Sequence, residues 1–350
     1  LFRAYAPLGW ARRPNHVSLD VTRRCNLRCE MCFYYGGEPR AAAGLKELSA
    51  EEIISRVVDR LSDVDYDLTG GEPLVRPDLP DILLAIRRRK GRAAVTTNGT
   101  LMTPELARRI VGEDLLTAIH FSLHGVKETH EKVTRVKGSF DRALKGLECV
   151  VKERTRTGQP RPQVTIACTI TGNNMTEAEK LVALGEEIGA DRISFGHASF
   201  MPPGSGEKHR AVMEELGLEV RPEYDDLVQG PPGIPFQKDD LETYIKTISR
   251  LRKDKGEQKI GTSPAGYGGP EIRSHYLDPN WAFRDSCFYP WRNLRVGPDG
   301  AVTPCVGYPV GNVRDADVRD LWNHARFRFF RAALYKRKLF PGCVRCCKLK

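Results

Sequence analysis

No stretch of this 350-residue chain approaches the roughly 20 consecutive apolar residues that a membrane-spanning helix needs. Leu1 to Trp10 has no basic start followed by an apolar core, so nothing there reads as an export signal and the expected compartment is the cytoplasm. Internal repeats and low-complexity tracts are also missing. Apolar content of 40% and a mean hydropathy of -0.42 describe a globular chain, long enough for one large domain and a smaller appendage. The middle of the chain is poor in cysteine, with only Cys149 and Cys168 between Cys32 and Cys287.

Ten cysteines in all, without an export signal, argue against a disulfide framework and for metal ligation or redox chemistry. They gather at the two ends: Cys25, Cys29 and Cys32 near the start, and Cys287, Cys305, Cys343, Cys346 and Cys347 in the last quarter. The formal charge of +10 suits an anionic substrate, an acidic protein partner, acidic lipid or nucleic acid. Arg and Lys are spread evenly, which reads as a generally basic surface, and no nucleic-acid partner is expected.

From His16 to about Gly196, short β-rich runs alternate with amphipathic helical patterns, the mark of β-α units on a parallel sheet. The strands are predicted at 16–21, 65–69, 92–96, 115–122, 163–170 and 192–195. Ser49 with Glu52, and Thr176 with Glu179, read as capping boxes, and Thr103-Pro104 as a helix start. The expected fold is therefore α/β, a partial (β/α)6 barrel over residues 1–200. Ligands in such folds gather at the carboxyl ends of the strands. Residues 201–286 are rich in Gly and Pro and hold one clear helix at about 239–253; they read as a substrate-covering lid or as a solvated linker. Residues 287–350 form a smaller terminal domain.

Cys25-Asn-Leu-Arg-Cys29-Glu-Met-Cys32 follows the first strand directly. Three closely spaced thiolates can wrap one cubane and leave its fourth iron open, as open sites do in catalytic metal centres. A zinc site lacking its fourth ligand, or three core cysteines, are the alternatives. The pattern resembles the radical S-adenosylmethionine (SAM) superfamily, and the resemblance extends to successive strand ends. Gly70-Gly71-Glu72-Pro73 is similar to the family's GGEP turn, which receives the SAM amino group. Thr97-Asn98-Gly99-Thr100 resembles its polar turn after the third strand, with Asn98 as a contact. Ser122 corresponds to a residue near the SAM carboxylate or ribose, and Arg135 to the arginine that pairs with that carboxylate, for which a guanidinium is suited. Thr171 and Asn173 resemble its adenine-side loop. One departure is Met31 before the third cysteine, where an aromatic is common; Phe33, Tyr34 and Tyr35 follow it. His197, after the sixth strand, reads as either a substrate contact and catalytic candidate or a structural histidine.

In the terminal domain, Pro298-Asp299-Gly300 between apolar runs predicts a hairpin that brings Cys287 towards Cys305. A helix is predicted from Val318 to about Lys336, and Cys343-Val-Arg-Cys346 closes the chain. Its basic, aromatic-rich sequence suits packing on the barrel better than peripheral contact with anionic lipid. Cys287, Cys305, Cys343 and Cys346 can hold a second 4Fe-4S cluster, with Cys347 as an alternative to Cys346 and a zinc ribbon as an alternative to the cluster. This layout resembles the SPASM/twitch domains of radical SAM enzymes, in the twitch form because no cysteine lies between Cys305 and Cys343. Cys149 and Cys168 read as small core residues.

The resemblance implies an oxidoreductase or lyase-type enzyme of biosynthesis, using SAM, a SAM-binding 4Fe-4S cluster and an auxiliary 4Fe-4S cluster. Its expected electron donor is an acidic flavodoxin or ferredoxin. The favoured substrate is a small molecule (sugar, aminocyclitol or other metabolite) undergoing dehydrogenation, dehydration, decarboxylation or epimerisation. A peptide- or protein-modifying maturase is the alternative, and an iron-sulfur electron-transfer or scaffold protein the remote one.

Overall fold

The computed structural model describes residues 5–32, 45–198, 204–218, 236–305 and 307–349. Phe33, Tyr34, Tyr35, Pro202, Pro203 and the Gly- and Pro-rich stretch 230–235 lie outside the described residues. All six predicted strands form: β1 (His16–Thr22), β2 (Asp65–Gly70), β3 (Arg92–Thr97), β4 (Ala118–Ser122), β5 (Gln163–Ile170) and β6 (Arg192–His197). They lie side by side in sequence order and all parallel.

The alternation of each strand explains the layering. Val17, Leu19, Val21, Tyr66, Leu68, Val95, Ile119, Phe121, Val164, Ile166, Ile193 and Phe195 are buried in the core on one face of the sheet. Ser18, Asp20, Asp67, Thr96, His120, Thr165, Thr169 and Ser194 point the other way, where the sheet is concave and encloses polar space. The intervening helices are α1 (Ala50–Ile53), α2 (Leu79–Arg88), α3 (Pro104–Gly112), α4 (Lys127–Thr134), α5 (Ser139–Thr157) and α6 (Ala178–Ile188). The Ser49 capping box forms as predicted, Ser49 Oγ accepting from Glu52 N at 3.1 Å and Ser49 N donating to Glu52 Oε2 at 2.9 Å. The second box does not. A 3-10 turn at Met175–Glu177 precedes α6, whose N-cap Glu177 makes no side-chain capping bond, because Asn174 already holds the turn through Thr171 N (2.8 Å).

The segment expected as lid or linker contains α7 (Ser205–Glu215), α8 (Lys238–Lys255), β7 (Ile260–Ser263) and α9 (Gly269–Leu277). β7 pairs parallel with β6, a seventh barrel strand that Gly261 and the short run Ile260–Ser263 do not announce as sequence. At the other edge, β8 (Asn293–Val296) pairs parallel with β1, and β9 (Ala301–Thr303) turns back on it through the predicted Pro-Asp-Gly hairpin, with Gly300 at φ 86°. β10 (Gly311–Asn312) completes a ten-stranded sheet. The terminal domain thus extends the barrel sheet.

The predicted last helix splits into α10 (Val318–Trp322) and α11 (Ala325–Arg337). The break follows from Asn323 and His324. Asn323 spends its amide on Ala11, donating to its carbonyl (2.8 Å) and accepting from its N–H (3.1 Å), while the His324 side chain caps α11. α11 packs on the barrel end with Phe327, Phe330 and Leu334 buried. Arg331 is wholly buried, its guanidinium donating to Pro290 O (2.8 Å), Gly9 O (3.2 Å) and Asn323 Oδ1 (3.0 Å) between the rings of Trp322 and Phe327. Burial pushes its pKa down to about 9. No helix of the described residues is long and apolar enough to cross a membrane.

Arg331→Ala would take the donor from two buried carbonyls, Pro290 O and Gly9 O, strip Asn323 Oδ1 of one of its two donors, and remove two cation–π contacts. A loss of about 3 kcal/mol in urea unfolding is expected, with Arg331→Lys recovering only part of it, since one ammonium cannot span all three acceptors.

Candidate functional site

The loop after β1 is held from several sides. From β2, Gly71 N donates to Thr22 O and Glu72 N to Arg24 O, both at 2.8 Å. This approach requires glycine: a Cβ on Gly70, at φ 131°, would stand 2.2 Å from Thr22 O, and one on Gly71 2.2 Å from Arg24 O. The buried Glu72 carboxylate lies near enough to the loop for its charge to act on Cys25. It accepts from Leu74 N (3.0 Å), Thr97 Oγ1 (2.6 Å) and Asn98 N (2.6 Å), tying β2 to the turn after β3, and burial raises its pKa despite these bonds. Pro73 opens the 3-10 turn that Glu72 caps. Asn98 then reaches the cysteine loop itself, donating through Nδ2 to Asn26 Oδ1 (2.9 Å), while Asn26 Nδ2 donates to Thr100 Oγ1 (2.8 Å).

On the far side, the last carbonyls of α4 accept the loop's amides: Val133 O from Glu30 N (2.9 Å) and Thr134 O from Arg28 N (3.2 Å). Arg135, next in the chain at φ 56°, is exposed and its side chain makes no hydrogen bond or ion pair to a described residue, which leaves it available beside the loop. Ser122 ends β4 on the concave face, paired in register with Ala167. Thr171 and Asn173 bind the loop directly. Thr171 Oγ1 donates to Glu30 Oε1 (3.1 Å) and Asn173 Nδ2 to both Glu30 oxygens (3.0 Å each), so in this structure their donors serve Glu30, where the resemblance implied adenine contacts.

Of the two readings of His197, the structure agrees with the structural one. Period-two alternation puts it on the buried face with Ile193 and Phe195, away from the concave side. It lies among Tyr244, Tyr267, His275 and Tyr276, with Nδ1 3.2 Å from Tyr276 Oη, and burial holds it neutral, its pKa well below the usual range. It is a core residue. Cys168 is likewise buried, and its thiol is pushed far up.

Burial, and repulsion from the sulfurs of Cys32 and Cys25, push the Cys29 thiol up to about 12; burial also raises Cys25, whose sulfur accepts from Leu27 N at 3.4 Å. Two thiols that resist ionising, beside a third half-buried sulfur at Cys32, fit a cationic group that compensates their charge. A second such group lies at the chain's end. Burial raises the thiols of Cys287, Cys343 and Cys346, reinforced by repulsion from Cys347 and then Cys305 at Cys346, from Cys305, Cys346 and Cys287 at Cys343, and from Cys346 at Cys287. Backbone amides already point at these sulfurs, Phe340 N at Cys343 and Lys348 N at Cys346, both 3.4 Å. Cys346 interacts with Cys287, Cys305 and Cys343, whereas Cys347 neighbours Cys346, Tyr267 and Lys348. Among the described residues no three His, Cys, Asp or Glu side chains converge as they would around a single ion. In a cubane each thiolate binds its own iron, which requires the wider spacing.

Sequence reasoning missed Glu30, Asn26 and Glu47, whose Oε1 accepts from Thr22 Oγ1 (2.8 Å) and Arg23 N (2.7 Å). Only the position of Glu30 and Asn26 between the cysteines hinted at them. Gly71→Ala is expected to push the loop off β2 and to lower the iron content of reconstituted protein by about half, read by iron quantitation. Glu30→Ala is expected to speed iron loss to a chelator by about tenfold, as removal of supports around metal ligands commonly does.

Two family models match the chain: the radical SAM superfamily over residues 19–202 and an iron-sulfur cluster-binding SPASM domain over residues 287–347. Fe-coproporphyrin III synthase of Methanosarcina barkeri is 33% identical over 215 residues, 61% of this chain, and the match spans only 50% of that relative's length. The antilisterial bacteriocin subtilosin biosynthesis protein AlbA of Bacillus subtilis is 24% identical over 362 residues, covering 96% of this chain and 68% of AlbA. In fold, the chain is similar to Streptococcus suis SuiB bound to its precursor peptide SuiA, with a TM-score of 0.64 at 15% identity over 93% of this chain and 68% of SuiB. With the superfamily model covering more than half of its length and the cysteine loop built as described, the chain belongs to the radical SAM superfamily and carries a C-terminal SPASM domain.

Proposed function

We propose that this radical SAM enzyme modifies a peptide or protein, with Cys25, Cys29 and Cys32 holding the SAM-binding 4Fe-4S cluster and Cys287, Cys305, Cys343 and Cys346 an auxiliary one. The observation that carries the peptide choice is likeness along nearly the whole chain, barrel and iron-sulfur segment together, to relatives named for peptide work. AlbA is one, and the PqqA peptide cyclase of Xanthomonas campestris, 23% identical over 94% of this chain, is another. The small-molecule expectation stays as a second reading, favoured by relatives named for small molecules. These are an AdoMet-dependent heme synthase, 26% identical over 89% of this chain, and a probable GTP 3',8-cyclase of Aeropyrum pernix, 33% identical over 88%.

Bound at the loop, the cluster and SAM supply one-electron cleavage of SAM to a 5'-deoxyadenosyl radical that takes hydrogen from an unactivated carbon. The protein's own residues do the positioning. Gly70 and Gly71 present backbone groups at close range, and Asn98, Ser122 and Arg135 stand where SAM's polar groups are to be received. Arg135 offers for the carboxylate a guanidinium that no described residue engages. Thr171, Asn173 and Glu30 brace the loop, with Glu72 and Pro73 fixing the turn beside it. The basic surface suits an acidic flavodoxin or ferredoxin as donor.

A precursor peptide encoded beside the gene, prepared with deuterated residues and incubated anaerobically with reconstituted enzyme, SAM and dithionite, is expected to transfer deuterium into 5'-deoxyadenosine. Transfer from a deuterated metabolite, with none from any such peptide, would overturn the peptide reading.

A further inference from the structure

The concave face of the sheet lines an open cavity of about 480 Å³, with Thr96 and Gln163 exposed at its rim, and its lining is ordered by strand register. Thr96 on β3 stands opposite His120 on β4, His120 opposite Thr165 on β5, and Thr165 opposite Arg192 on β6. These four residues form one polar row across four neighbouring strands. Above them, towards the carboxyl ends, the rows hold only small side chains: Ala167, Ser194 and Gly261, then Thr169, Gly196 and Ser263. Small walls over a row of donors make a shaft whose polar floor is this row, with the exposed Gln163 lining the cavity below it.

The floor's chemistry is one-sided. Arg192 donates to Gln258 O (3.1 Å) and lies across Gly261, where a Cβ would come within 2.1 Å of its Nη2, so the guanidinium needs that glycine to occupy its place. Among the described residues no carboxylate pairs with it. The carboxylates on this face are bonded to other groups, Asp67 to His16 Nε2 (2.8 Å) and Asp20 to Arg295 (2.6 Å), although Asp67 is near enough to act on His120. Thr165 Oγ1 is buried without a hydrogen-bond partner among the described residues. His120, its pKa lowered chiefly by burial, stays neutral with one N–H to give. One positive charge beside hydroxyl and imidazole donors matches a singly charged, planar acceptor.

We propose that the row Thr96, His120, Thr165 and Arg192 is the binding site for a carboxylate of the substrate, supplied by an acidic side chain of the peptide. The floor lies about 7 Å below the level of Ser122 and about 13 Å below that of Thr169, at about 3.3 Å per residue. The carboxylate is thus held several bonds from the carbon that reacts at the mouth, and its binding energy serves to position that carbon. The site rests on the barrel interior being the substrate chamber, as the proposed function requires.

The test is equilibrium binding to the full reconstituted chain, with no reductant, of N-acetyl-glutamate α-amide against its neutral twin N-acetyl-glutamine α-amide, with inorganic phosphate as competitor. The glutamate probe is expected to bind, the glutamine probe at least tenfold more weakly, and Arg192→Gln and Thr165→Val to weaken the first by about tenfold and severalfold while SAM binding is retained. Equal binding of the two probes, undiminished binding in Arg192→Gln, or tighter binding of phosphate would overturn the assignment. Because nothing turns over in this assay, its failure leaves the deuterium-transfer result untouched, and failure of deuterium transfer leaves this one.

Discussion

Everything at this site depends on one close approach of backbone to backbone: the end of β2 lying against residues 22–24, at a distance only glycine permits at positions 70 and 71. That contact sets where the chain leaves β1 and hence where Cys25 stands. The remaining supports, Glu47 on Thr22 and Arg23, Asn98 on Asn26, the α4 carbonyls on Arg28 and Glu30, and Thr171 with Asn173 on Glu30, act on a loop already placed. Their bonds come from β3, α4, β5 and the segment before α1, so the sheet order is what brings them together.

The same logic reaches the far end of the chain. β8 continues the barrel sheet beside β1, so the terminal cysteines are carried on the strand system that carries the first three. Tyr289 lies at the junction, its hydroxyl 3.1 Å from Ser18 Oγ on the concave face and its backbone amide directed at Cys287. Arg314 adds a second tie. It donates to both Glu52 oxygens at 2.7 and 3.0 Å and to the carbonyls of Lys46 and Glu47, and by these bonds it pulls the Glu52 carboxyl down to about 2.

Much of this was legible in the sequence because it is local. Alternating apolar residues marked six strands within a few residues of their ends, and the cysteine spacing and Gly-Gly-Glu-Pro marked the strand edge where the site lies. What escaped notice depends on partners distant in sequence. β7 is four residues long and forms because β6 offers it an edge; Asn323 ends α10 because Ala11 is there to be bonded. His197 was ambiguous until the register showed which face it occupies. Thr171 and Asn173 carry the right chemistry for a ligand, but only the fold reveals Glu30 within their reach. Nor could a motif scan have aligned Thr96, His120, Thr165 and Arg192, which are ordinary residues until four strands place them in a row.

The central claim is that the loop of Cys25, Cys29 and Cys32 supports SAM cleavage, and 5'-deoxyadenosine formation tests it most directly. Anaerobically reconstituted protein given SAM and dithionite is predicted to produce 5'-deoxyadenosine, and Cys29→Ala to produce none while retaining the irons bound at the C-terminal cysteines. Undiminished 5'-deoxyadenosine from Cys29→Ala would contradict the account.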